Sequence, residues 1–158
     1  MYEFEPESRF SCLYFGNSSM IDYVAGPEIP IYARHHIGSL TVYGGLGGLV
    51  RGFEPYRFDS RLKMANRSEI RLVTKKDNVR SLFKKNGFLR FAAIAFFDMG
   101  YYGFLDGSDN GFLCSCGVGG LISFMDILSI SGYLACPLIE ERLDRRGVVP
   151  VLGFSFKF

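Results

Sequence analysis

One arginine in this sequence has an unusual position among glycines. Arg51 lies within GGLGGLVRGFEPYRFDS, residues 44–60, a stretch that is rich in glycine and long for a hairpin loop. Loops of this length in compact domains are usually functional or disordered, so the stretch is either a mobile surface loop or the support of a buried cation. A buried cation must find carboxylates, because an unpaired buried charge is very costly. Glu69, in NRSEIRL, and Asp98, in FFDMG, are the candidate partners.

The other residues that could do chemistry lack the spacing that chemistry needs. DGSDNG begins like a calcium loop at Asp106, but Gly117 stands where a bidentate glutamate belongs. His35 and His36 are adjacent, so on a strand they face opposite ways. The sequence has no Ser/His/Asp arrangement at a recognisable spacing, no paired-carboxylate site and no phosphate-binding glycine pattern. We therefore expect no enzyme activity, no metal and no cofactor.

The four cysteines also fit no metal or redox motif. Cys12, Cys114, Cys116 and Cys136 include no CxxC pair and no zinc spacing with histidine. On a strand, Cys114 and Cys116 share one face at about 7 Å, which makes a disulfide between them awkward. We expect all four to act as small apolar residues.

Composition favours β structure. The 158 residues are 48% hydrophobic and 16% aromatic, with many Phe, Tyr and Gly and no Trp; aromatic residues suit strands, and glycine suits turns and close backbone approaches. A net charge of +2 is too small to indicate a nucleic-acid-binding surface. The first ten residues, MYEFEPESRF, have neither the basic nor the apolar part of a secretory signal. The chain is expected to be one all-β domain.

Period-two alternation places the strands. In LRFAAIAFFDMGYY every second residue from Leu89 to Tyr101 is apolar, while the opposite row holds Arg90, Asp98 and Gly100. Between Gly111 and Ile139 the only charge is Asp126, but each uncharged arm is too short and too rich in glycine for a membrane-spanning helix. The predicted strands are 8–16, 36–45, 62–74, 88–101, 112–125, 127–136 and 148–158. Residues 75–87 are predicted to be a polar connection with room for one helical turn.

Alternation by itself leaves two architectures open. Segments of about ten residues with one apolar and one small or polar face are the signature of a transmembrane β-barrel. A soluble β-sandwich, whose apolar rows face a shared core, gives similar alternation. The terminal stretch VPVLGFSFKF is apolar on one side to its last residue, since Leu152, Phe154, Phe156 and Phe158 share a face.

An ordered series of motifs resembles a known family. IPIYARHHIGSL leads to GGLGGLVRGF, followed by NRSEIRL, AFFDMG, CGVGGLISF, LSISGYLACPL and GFSFKF. In this order, over nearly the whole chain, they resemble the C-terminal part of the BamA/TamA/TpsB superfamily of outer-membrane assembly and secretion barrels, the bacterial surface antigen type. The resemblance favours an antiparallel transmembrane β-barrel, of which the chain holds only the last six or seven strands, over the sandwich.

The resemblance also implies roles for particular residues. In this family one loop folds back into the barrel lumen, and residues 44–60 correspond to it. The motif at the tip of that loop matches Val50, Arg51, Gly52 and Phe53. Arg51 matches the arginine that packs against acidic residues of the inner wall, at Glu69 and Asp98. Family members carry aromatic residues in the last strand, which form part of the signal that the outer-membrane assembly machinery recognises. Phe154, Phe156 and Phe158 match this signal.

A function follows from the resemblance as an expectation. The chain would belong to a bacterial or organelle outer membrane, with lipid, β-rich client polypeptides and other assembly components as partners, and it would insert or export those clients. A TpsB-like secretion transporter, a passive porin-like barrel and a soluble β-sandwich interaction domain are the alternatives. Family members carry a signal peptide, POTRA domains and, in BamA, sixteen strands. We therefore expect a fragment, a truncated reading frame or a chain that oligomerises to close.

Overall fold

The fold is one antiparallel sheet with a short helix on one side. The computed structural model describes residues 10–26, 45–54, 60–74, 77–79, 87–103, 110–124, 127–140 and 147–156. The elements are β1 (Phe10–Tyr23), α1 (Gly45–Leu49), β2 (Leu62–Thr74), β3 (Asp77–Val79), β4 (Gly87–Gly103), β5 (Gly111–Phe124), β6 (Leu128–Glu140) and β7 (Val149–Phe156). The predicted all-β class and the antiparallel pairing are confirmed.

The long strands follow one another as a meander. Their order across the sheet is β1-β2-β4-β5-β6-β7, and β3 pairs with the start of β4. Within the described residues the sheet is open, since β1 pairs only with β2 and β7 pairs only with β6. Each strand from β4 onward is adjacent to the next in sequence, so the register is built from local hairpins.

The two faces of the sheet differ in what lies on them. The covered face is the one on which α1 and the turn after it pack, and its core contains Leu46, Leu49, Val50, Phe53, Ala65, Tyr102 and Leu113. The bare face is the opposite one, and its large apolar side chains are exposed; they include Phe15, Phe91, Phe97, Val118, Ile122, Ile130, Leu134, Leu152 and Phe154. The alternation of the sequence thus becomes two chemically distinct surfaces.

Most strand predictions agree with the structure, and one region is corrected. Residues 62–74 form a strand with the predicted bounds, whereas the first strand extends from Phe10 to Tyr23 instead of ending at residue 16. The possible helical turn in 75–87 is wrong at Asp77–Val79, which is a strand. The reason is that β4 starts before its pairing with β2 begins, so the backbone around Leu89 is available to β3. The predicted strand 36–45 lies outside the described residues except for Gly45, which begins α1.

Candidate functional site

The loop that carries Arg51 is a tight turn built on α1. The Val50 amide donates to the Leu46 carbonyl at 2.9 Å, and the Phe53 amide donates to the Val50 carbonyl at 3.4 Å. Between them Gly52 has a φ of 96°, a backbone conformation that residues with a side chain rarely adopt. A Cβ on Gly52 would also lie 2.9 Å from the Cβ of Ala135 in β6. The glycine of the VRGF motif therefore lets the turn lie directly on the sheet.

A second glycine receives the apolar side of this loop. Gly100 lies on the covered face of β4, two residues after Asp98. A Cβ at Gly100 would approach Val50 Cγ2 to 2.7 Å and Leu46 Cδ1 to 3.2 Å. The absence of a side chain at this position gives Val50 and Leu46, both almost fully buried, a place to pack.

The charged end of the loop makes a bidentate ion pair. Arg51 Nε donates to Asp98 Oδ2 at 2.7 Å, and Arg51 Nη2 donates to Asp98 Oδ1 at 2.8 Å. The Arg51 backbone amide also donates to Asp98 Oδ2, at 3.1 Å. Arg51 is only 4% exposed and Asp98 is fully buried. Parallel charge-assisted hydrogen bonds of this kind fix the orientation of the guanidinium as well as its position.

Glu69 completes the charge balance from the neighbouring strand. Arg51 Nη1 donates to Glu69 Oε2 at 3.1 Å, and Arg71 Nη2 donates to Glu69 Oε1. Two arginines therefore face two carboxylates. Burial lowers the pKa of the Arg51 guanidinium, but its hydrogen bonds and attraction to Asp98 and Glu69 outweigh that effect and leave the pKa raised, so Arg51 stays charged.

Two aromatic rings enclose the guanidinium. Arg51 Cζ lies 3.7 Å from the ring centroid of Phe96 and 5.0 Å from that of Tyr133. The two rings meet edge to face, with centroids 5.8 Å apart and planes at 86°. Both distances from the cation are within the range of a cation–π interaction. The rings thus shield the ion pair from water while adding to its attraction.

Glycines on β5 make room for these rings. Phe96 is opposite Gly117 in the β4–β5 register, and Tyr133 is opposite Gly119 in the β5–β6 register. A Cβ added at Gly117 would lie 2.6 Å from Phe96 Cζ, and a Cβ added at Gly119 would lie 2.5 Å from Tyr133 Cδ1. Each ring therefore covers a cross-strand glycine, a pairing that compensates for the missing side chain. Gly117 and Gly119 of β5 therefore lie beneath the two rings on the covered face.

The structure brings together the predicted loop and both acidic residues. Val50, Arg51, Gly52 and Phe53 lie on the covered face against Glu69 of β2 and Asp98 of β4. Phe154 lies on β7, and its side chain is 68% exposed on the bare face. Phe156 ends β7, but its side chain and the whole of Phe158 lie outside the described residues.

Sequence reasoning missed Phe96, Tyr133, Arg71 and Gly100 as parts of this site. Phe96 and Gly100 could have been found, because they flank Asp98 by two residues each and period two puts them on its face. Arg71 has the same relation to Glu69. Tyr133 has no such local signal, since only the register of β5 with β6 brings it to Arg51.

Among residues the structure describes, no group of three His, Cys, Asp or Glu side chains could hold a metal ion, and the four cysteines are free. No helix in the same part of the chain is long and apolar enough to cross a membrane. Comparison of the chain with protein-family models, curated proteins and solved structures finds no match.

Proposed function

We propose that this chain is the C-terminal part of an outer-membrane β-barrel of the BamA/TamA/TpsB type, and that it inserts or translocates β-rich polypeptides. The single observation that carries the proposal is the ion pair of Arg51 with Asp98 and Glu69 on the covered face. The motif resemblance predicts this contact between an arginine loop and acidic residues on the inner wall of a barrel. The three residues come from three separate motifs of the series.

The bare face supports a membrane location. Its apolar side chains are strongly exposed, with Phe15 at 72%, Leu152 at 75% and Phe154 at 68%. Exposed apolar surface of this extent marks contact with a membrane or another protein. In the proposed barrel the bare face meets lipid and the covered face lines the lumen, as apolar-out alternation requires. A β-sandwich would instead bring two apolar rows together.

The covered face supports an assembly or translocation role over a passive channel. A porin needs an open, water-filled lumen, whereas here α1 and the VRGF turn are packed on the inner wall through a buried apolar cluster. The bidentate pair with Asp98 makes this loop a fixed part of the wall. We infer that the loop supports the sheet while the seam beside β7 opens and a client strand pairs with its backbone, a form of β-augmentation.

The test is client folding in vesicles that contain the chain. The 158-residue chain is reconstituted into phospholipid vesicles, and a urea-solubilised β-barrel client is added; folded client is measured by its altered gel mobility. Wild type should accelerate client folding, and Arg51→Ala should remove the acceleration while the chain stays in the vesicles. Arg67→Ala is the matched control, because Arg67 lies on the same strand face as Glu69 but takes no part in the hydrogen bonds of Arg51.

Two outcomes would contradict the proposal. If Arg51→Ala accelerates client folding as much as wild type does, the loop has no role in client folding. Vesicles that become leaky without any acceleration of client folding would indicate a passive barrel instead.

A further inference from the structure

Among the described residues, the bare face carries a cluster of polar side chains in the middle of β1 and β2. Along β4 to β7 the side chains that alternate onto this face are apolar or glycine, for example Phe97, Val118, Leu134 and Leu152. Along β1 and β2 the pattern changes in mid-strand. The polar cluster there consists of Asn17, Ser19, Asn66 and Ser68.

The cluster is a reciprocal hydrogen-bond network. Asn17 Nδ2 donates to Asn66 Oδ1 at 3.3 Å and to Ser68 Oγ at 2.8 Å. Asn66 Nδ2 donates to Asn17 Oδ1 at 3.3 Å and to Ser19 Oγ at 2.7 Å. The Ser68 hydroxyl donates to Asn66 Oδ1 at 3.3 Å. The side-chain amides of Asn17 and Asn66 therefore donate to each other, and each also donates to a serine of the other strand.

The register explains this symmetry. Asn17 is opposite Ser68 and Ser19 is opposite Asn66, so two Asn-x-Ser segments are related by a local two-fold axis between antiparallel strands. The cluster lies near the middle of both strands. Exposed apolar residues flank it on either side, with Phe15 next to Ile70 and Ile21 next to Met64. A small polar centre is thus surrounded by an apolar rim.

A lipid environment leaves part of this cluster unsatisfied. Among the described residues, Ser19 accepts one hydrogen bond and donates none, and Asn17 Oδ1 accepts only one. Hydrocarbon offers neither donor nor acceptor, and polar groups at this depth are costly unless they are paired. The remaining donor and the remaining acceptor are complementary to each other. Ser68 donates to Asn66 Oδ1 within β2, but Ser19 makes no equivalent hydrogen bond to Asn17 Oδ1 within β1.

We propose that the polar cluster is the contact through which two copies of this chain associate side by side in the membrane. The inference rests on the proposed barrel, in which the bare face meets lipid. Across a two-fold axis, the Ser19 hydroxyl of each copy donates to Asn17 Oδ1 of the other. Such a contact is isologous, and polar side chains that bond between spans are a known source of association in bilayers. Phe15 and Ile21 pack around it.

Sedimentation equilibrium in density-matched detergent micelles tests this contact on the full chain. Wild type should be a dimer. Ser19→Ala removes the donor that has no partner, together with the acceptor of Asn66 Nδ2, and should raise the dissociation constant roughly tenfold, as expected for two intermolecular hydrogen bonds lost in an apolar medium. Ser129→Ala is the matched control on the covered face and should leave the constant unchanged. The double variant Asn17→Leu/Asn66→Leu replaces the polar centre and should be monomeric.

The outcomes separate this inference from the proposed function. A wild-type chain that accelerates client folding in vesicles but sediments as a monomer overturns the dimer alone. Dimers of equal affinity in wild type, Ser19→Ala and the double variant place the contact elsewhere and also overturn it. A chain that stays in detergent-free buffer as a soluble protein overturns both the dimer and the membrane barrel.

Discussion

Asp98 holds Arg51 through two parallel hydrogen bonds of 2.7 and 2.8 Å, although 47 residues separate them in the chain. Because both side chains are almost fully buried, their charges are compensated by each other and by Glu69 and not by water. Removing one partner of such a pair leaves an uncompensated buried charge, which is more costly than the pair is stabilising. The pair thus ties the loop after α1 to the centre of β4.

Asp98→Asn should strongly destabilise the chain. The substitution keeps the shape of the side chain but leaves Arg51 with only one carboxylate, so we expect a loss of about 3–5 kcal/mol in the free energy of unfolding. Urea unfolding in detergent micelles, followed by circular dichroism, measures it. Glu69→Gln should cost less, since Glu69 is partly exposed at 17%. Equal losses in the two variants would contradict the central place of Asp98.

Replacing both charges should separate stability from function. In Arg51→Met/Asp98→Leu no buried charge is left alone, so most of the stability lost in Asp98→Asn should return. Client folding in vesicles should remain at the level of Arg51→Ala if the guanidinium itself is needed. Unfolding and client folding are measured on the same preparations. Recovery of client folding together with stability would show that the loop needs only to be packed.

Gly52→Ala should destabilise the turn for two reasons. The φ of 96° is unfavourable for alanine, and the new Cβ would contact Ala135 at 2.9 Å; together we expect about 2–3 kcal/mol. Gly26→Ala is the matched control, because Gly26 also has a positive φ, of 140°, but nothing within 4 Å. Urea unfolding should show a smaller loss for Gly26→Ala. A larger loss at Gly26 would mean that contact with β6 does not constrain the VRGF turn.

Adjacent phenylalanines on β4 should respond differently to truncation. Phe96→Leu removes the ring over Arg51 and uncovers Gly117, so we expect a loss of about 1–3 kcal/mol. Phe97→Leu changes a side chain on the bare face that is 41% exposed, and its cost should stay near zero. Thermal unfolding of both variants in the same micelles makes the comparison. Similar losses would argue against a cation–π role for Phe96.

The bare face should not tolerate charge. Leu134→Arg places a guanidinium on that face of β6, where we expect a cost of about 2–4 kcal/mol near the bilayer midplane. Ser155→Arg places the same group on the covered face of β7 and should cost little, because the lumen is polar. Folding into phospholipid vesicles, measured by protection from protease, compares the two. Equal folding yields would contradict lipid contact on the bare face.

The strands were the part of the fold that sequence predicted best. The predicted strand 62–74 has the bounds of β2, although polar residues in mid-strand interrupt its alternation. Alternation does not report pairing partners, and so β3 was missed. Two of its three residues, Asp77 and Asn78, are polar, and the segment becomes a strand only because β4 extends beyond β2.

The site was predictable only where its residues belong to short motifs. Arg51, Glu69 and Asp98 were named from the cost of a buried charge and from the motif series. Tyr133 and Gly119 were not, because they join the site through the β5–β6 register, which no local pattern encodes. The contact of Arg51 with the Tyr133 ring depends on the pairing of β4, β5 and β6, and therefore on tertiary structure alone.

The most direct test of the membrane barrel is photolabelling from within the bilayer. A phospholipid with a photoreactive group on its acyl chain is mixed into vesicles that carry the wild-type chain, and labelled residues are identified by mass spectrometry. The proposed barrel predicts label on Phe97 and Val118 of the bare face and none on their neighbours Phe96 and Asp98. Equal labelling of both faces, or no labelling of Phe97 and Val118, would contradict it.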